Sequence, residues 1–142
     1  MKNLKVMAFV SLFALSIGAM QNSPLKSMAE LEQEKQSYEE IAQQKDNPAA
    51  AVNAKYQLAK IYLKDAFRSN DDTKANVNYM KAKQLLEEVV QLQDDILFAA
   101  ANANISLGIM YENGHGTQRN VEKAKKLNGR GGMLLDAYNL QQ

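Results

Sequence analysis

The chain has 142 residues, 46% of them apolar and 23% charged, with seven glycines, two prolines and no cysteine. That size predicts one compact domain, and the balance excludes collagen-like, Pro/Gly-rich and broadly disordered chains. Seventeen Lys and Arg against sixteen Asp and Glu leave a formal charge of +1, too little for the bulk field of a nucleic-acid binder, and the absence of cysteine removes disulfides, Cys-ligated zinc and a thiol nucleophile.

Residues 1–20 have the pattern of a secretory signal peptide. Lys2 and Lys5 give a positive start, Val6 to Met20 is uncharged and mostly apolar, and Ser16-Ile17-Gly18 and Ala19 offer small residues for cleavage. The apolar run is shorter than the ~18–20 residues needed to span a bilayer. The alternative is an uncleaved anchor. The expected destination is the bacterial periplasm or the exterior, with no membrane attachment after cleavage.

Ser23-Pro24 and the capping box Ser27-Met28-Ala29-Glu30 open an N-terminal helix within 21–48, rich in Glu, Gln and Lys. Asn47-Pro48 breaks the chain and starts a helix to about Phe67, with Ala54, Leu58, Ile61, Tyr62 and Ala66 on one face. A polar loop is expected over 68–74. A third helix follows from about Asn78 to Leu92, with Ala82, Leu85, Leu86 and Val89 inward. Asp94-Asp95 are placed to cap a fourth helix to Tyr111, and Asn113-Gly114-His115-Gly116 reads as a turn. Asn120 caps a fifth, short helix through Leu127. Gly129-Arg130-Gly131-Gly132 is then expected to end regular structure, because each glycine forfeits ~1 kcal/mol in a helix.

Two stretches repeat. Ala54 to Tyr62 and Ala103 to Tyr111 share A-x-x-x-L-small-x-x-Y, and Asn78 to Lys83 and Asn120 to Lys125 share N-x-x-K-A-K. The small residues Ala59 and Gly108 admit a close neighbour, Leu58, Leu107, Tyr62 and Tyr111 fill the space between helices, and Ala82 and Ala124 mark the crossings. The asparagines are read as caps. Paired helices recurring at this period predict an all-α fold, an alpha-alpha superhelix of antiparallel pairs with about two repeats over 49–142.

The stretch Leu107-Gly108-Ile109-Met110-Tyr111-Glu112-Asn113-Gly114-His115-Gly116, continuing to Asn120-Val121-Glu122-Lys123-Ala124, resembles a unit of the Sel-one-like repeat family, a relative of the tetratricopeptide repeat. The resemblance covers about residues 50–140. The first unit lacks Gly-x-Gly, and Thr117 stands where the family has Val. The resemblance implies a stack whose inner surface, built by the first helix of each pair, binds a protein or peptide. On that surface the expected partner-binding residues are Asn53, Tyr56, Lys60 and Lys64 with Asn102, Ile105, Ile109, Glu112 and Asn113. The alternative for Tyr56, Ile105 and Ile109 is packing against the chain's N-terminal or C-terminal segment.

No catalytic constellation is readable. His115, the single histidine, is expected to be a solvated loop residue, and Gly129 to Gly132 a connector rather than a phosphate loop. Asp71-Asp72 and Asp94-Asp95 lack calcium-loop spacing, so neither metal nor cofactor is expected. The reading is therefore a non-enzymatic interaction module. The alternatives are an immunity protein against a secreted toxin, or an envelope enzyme acting on beta-lactams or peptidoglycan.

Overall fold

A computed structural model describes residues 26–91 and 96–142. Residues 1–20, with the expected export signal, Ser23-Pro24 and Asp94-Asp95 lie outside the described residues. Five helices, α1 (Met28–Ala42), α2 (Pro48–Arg68), α3 (Asp72–Gln91), α4 (Leu97–Asn113) and α5 (Val121–Asn139), make up 81% of the described residues, and no strand occurs among them. The chain is all-α, as its composition and periodicity require.

The chain divides into two compact units, Met1–Glu32 and Gln33–Gln142. In the first, residues 26–32 hold the expected capping box. The Ser27 N–H donates to Glu30 Oε2 (2.7 Å) and the Glu30 N–H to Ser27 Oγ (3.2 Å). The Ser27 backbone hydrogen bond, then its hydroxyl, hold the Glu30 carboxyl below its ordinary range.

In the second unit, Asn47 caps α2 by accepting from the Ala50 N–H at 3.1 Å, with Pro48 in the first turn. The polar loop expected over 68–74 shrinks to 69–71. Asp71 accepts from the N–H groups of Thr73 (2.9 Å) and Lys74 (3.1 Å), so α3 starts at Asp72 and Asn78 lies inside it. The cap was misassigned because an Asx turn at Asp71 opens the helix before the repeated frame begins. The additional residues of the first repeat thus lengthen both of its helices. Asn120 is a cap as expected, accepting from the Lys123 N–H at 2.9 Å. The residue at the N-cap of α4 is Ile96, with no side-chain bond.

The larger difference concerns α5, which runs unbroken through Gly129 to Gly132 as far as Asn139. Packing outweighs propensity there. A Cβ on Gly131 would lie 2.6 Å from Ile105 Cγ1 and 2.8 Å from the Ala101 carbonyl oxygen, so only glycine lets α5 come so close to α4. At Gly108, on the facing helix, a Cβ would fall on the Asn128 side-chain amide.

Contacts pair α2 with α3 and α4 with α5, both antiparallel, and α3 joins the pairs by packing on α4. The repeated residues meet in the core: Leu58 and Leu107 are 4% and 2% exposed, Ala82 and Ala124 0% and 2%. Tyr38 of α1 packs on the same core.

These contacts set opposite outcomes for two neighbouring glycines. Gly131→Ala should destabilise the fold by about 1–3 kcal/mol through overpacking of the α4–α5 seam. Gly129→Ala, at a position with no atom near its would-be Cβ, should stabilise it by up to about 1 kcal/mol. Urea unfolding of both variants checks the pair.

Candidate functional site

The first helices of the two pairs, α2 and α4, are neighbours, so matched positions on them can form one surface. The structure divides the nine expected binding residues. Asn53, Lys60 and Lys64 are exposed on α2, and Ile109, Glu112 and Asn113 on α4, with Asn102 half-buried. Ile109 keeps 49% of its surface open and is the one exposed apolar side chain of the set.

Tyr56 and Ile105 hold matched positions and are both spent on packing. Tyr56 is 9% exposed within the core cluster, and Ile105 lies across Gly131. For Ile105 the packing alternative, against the C-terminal segment, describes the structure, whereas Tyr56 packs within the core cluster. Burial pushes the Tyr56 phenol above its ordinary value. Lys60 sits 5.6 Å over its ring and donates to Gln57 Oε1 at 3.3 Å. The amides of Asn102 and Asn113 turn back onto their own helix, donating to the carbonyl oxygens of Phe98 (2.8 Å) and Ile109 (2.9 Å). Arg119 Nε donates to the Glu112 carbonyl oxygen at 2.8 Å and ties the following loop to the end of α4.

That loop is built against α3. Gly114 and Gly116 have φ of 75° and 63°, and a Cβ on Gly116 would lie 2.7 Å from Tyr79 Cβ. His115 is accordingly half-buried, its ring stacked on Tyr79 at 4.5 Å and 15°, rather than solvated as expected. The Gly-x-Gly of the second repeat is therefore a packing device. Continuous helix at Gly129 to Gly132 also leaves no connector or phosphate-cradling loop there. Among the described residues no three His, Cys, Asp or Glu side chains gather as a metal site.

A more organised feature escaped the sequence reading. Tyr62 donates to Glu39 Oε1 of α1 at 3.2 Å, with Lys35 and Lys81 over its ring at 4.9 and 5.2 Å. Tyr111 donates to Glu87 Oε1 of α3 at 3.3 Å, with Lys83 and Lys123 over its ring at 5.8 and 4.2 Å. Lys123 Nζ also donates to the Tyr111 hydroxyl at 2.8 Å. Each tyrosine is thus held by a Lys-x-x-x-Glu of the preceding helix and by the first lysine of the N-x-x-K-A-K frame. The signal was present. Lys35-Gln36-Ser37-Tyr38-Glu39-Glu40 repeats as Lys83-Gln84-Leu85-Leu86-Glu87-Glu88. α1 thus carries at Lys35 and Glu39 the pair that α3 carries at Lys83 and Glu87. Glu34 and Ser37 replace Ala82 and Leu85, which suits a terminal helix with a polar outer side. Lys83 pairs with Glu87 at 2.9 Å, a hydrogen bond that raises the lysine's pKa.

Two measurements follow from this geometry. Tyr111→Phe removes the hydroxyl between Lys123 and Glu87 and should cost about 1 kcal/mol in urea unfolding. Tyr56, with its folded pKa raised, adds stability that is complete below the ordinary tyrosine range and is lost as pH rises through the raised value. An absorbance titration should show a late-ionising component that Tyr56→Phe abolishes.

No protein-family model, curated protein or solved structure matches the chain.

Proposed function

We propose that the chain is an exported, non-enzymatic interaction module of the Sel-one-like kind, holding a protein or peptide across the exposed faces of α2 and α4. One observation carries this reading: matched positions on two neighbouring first helices stay open beside the buried core stripe. Asn53 answers to Asn102, Lys60 to Ile109 and Lys64 to Asn113, and all but the half-buried Asn102 are exposed.

The chemistry is that of recognition: two ammonium groups, several amides, one carboxylate and the exposed Ile109. With α2 packed on α3, α4 on α5 and α3 on α4, such groups keep a fixed relation, so most of the ordering entropy on binding falls on the partner. Support for export comes from Lys2, Lys5 and the apolar run Val6 to Met20.

Ile109→Asp combined with Lys60→Glu should abolish capture of a partner from a bacterial envelope extract. It should leave the melting temperature within a few degrees of the parent, because both side chains are exposed. Capture that survives this change, or a parent chain that enriches nothing while fully folded, overturns the proposal.

A further inference from the structure

Within the chain one unit takes the next through a defined helix face. On α3 that face carries Lys83, Leu86, Glu87 and Val90, and α4 packs on α3 with Tyr111 bound to Glu87 and Lys83 over its ring. The N-x-x-K-A-K register carries these positions to Lys125, Asn128, Gly129 and Gly132 on α5. Asn128 of this set turns onto Gly108 of α4, so Lys125, Gly129 and Gly132 are what continue the α3 face on the open side of α5. Nothing lies within 4 Å of a Cβ at Gly129 or Gly132, although each glycine weakens the helix that holds it.

The same side carries what a copy of itself would need. Met133 is 66% exposed, one turn beyond the hollow at Gly129. A basic residue, Lys126, stands at one end of the stripe and an acidic one, Asp136, at the other, and both are exposed. When two such helices run antiparallel with Met133 of each over Gly129 of the other, Lys126 of each falls opposite Asp136 of the other. A parallel, in-register pairing would instead set Asp136 against Asp136.

We propose that this face of α5 pairs with the same face of a second copy, antiparallel about a two-fold axis near Gly131. The face is self-complementary in shape, knob against hollow, and in charge. It is therefore isologous and closes at two copies. One helix face from each copy buries less than the ~1,200 Å² of a standard stable interface, so the dimer is a weak one that builds up with concentration.

Sedimentation of the full chain over a wide concentration range tests this. The parent should shift from monomer to dimer. Gly129→Leu fills the hollow, so it should keep or raise the melting temperature and lose the dimer. Asp136→Lys should weaken the dimer by about tenfold, and adding Lys126→Glu should restore it. Because the chain has no cysteine, mixed Gly129→Cys and Met133→Cys chains should crosslink on oxidation, while Phe67→Cys, exposed on α2, should not. A parent that stays monomeric at every concentration, or Gly129→Leu chains that dimerise like the parent, overturn the proposal.

Discussion

Each pair of helices is fastened to the helix before it by one tyrosine. Tyr62 and Tyr111, each 7% exposed, lie toward the end of the buried stripe of a first helix and place a phenol where three elements meet. The ring fills space between helices, its faces accept two lysine ammonium groups, and its hydroxyl donates to a glutamate. A nearly buried phenol needs a partner for its hydroxyl, and ammonium over an aromatic face gains strength as water is excluded. Phenylalanine would fill the same volume without naming a neighbour. Tyrosine with Lys-x-x-x-Glu on the preceding helix and Lys on the following one fixes which helix lies where, which turns general apolar packing into register.

The opposite device operates along the rest of the seam. Where α4 and α5 run side by side, contact depends on missing side chains. Gly131 admits Ile105, and Gly108 admits the amide of Asn128. Asn128 occupies the repeat position that Leu86 holds on α3, where Leu86 is fully buried. Its Oδ1 is buried without a conventional donor and faces the Cα hydrogens of Gly108, a weak contact that a leucine would not make. Asn104, one turn earlier on α4, is fully buried and is satisfied on its amide nitrogen by the Ala100 carbonyl at 2.8 Å. The second seam thus sets Asn128 and Gly131 where the first has Leu86 and Val89, although the two share a frame.

Much of the fold was legible because its signals are local. Capping at Ser27, Asn47 and Asn120 depends on residues within three positions, and helical spacing announced Leu58, Leu107, Ala82 and Ala124 as core. The largest failure depended on a contact between distant segments. Glycine's weak helix propensity predicted an end after Leu127, but the α4 surface near Ile105 holds the helix together at Gly131. Polar residues after Phe67 suggested a loop, yet Asp71 turns them into a helix start. Of the candidate surface, Asn53, Lys60, Lys64, Ile109, Glu112 and Asn113 are exposed, since they lie beside the core stripe. Tyr56 and Ile105 are not, and spacing alone cannot tell the edge of the stripe from its middle. The lysines and glutamates around the two tyrosines escaped notice, for their spacing is that of any solvated helix face.

The extra turns of α2 and α3 carry their connection past the level at which the second pair turns. Residues 70–74 are all exposed, and Phe67 beside them is 84% exposed. Little of the core depends on this overhang. It is therefore the natural place to open the backbone for a circular permutant, or to graft an inserted reporter, without disturbing the tyrosine-held joints below it.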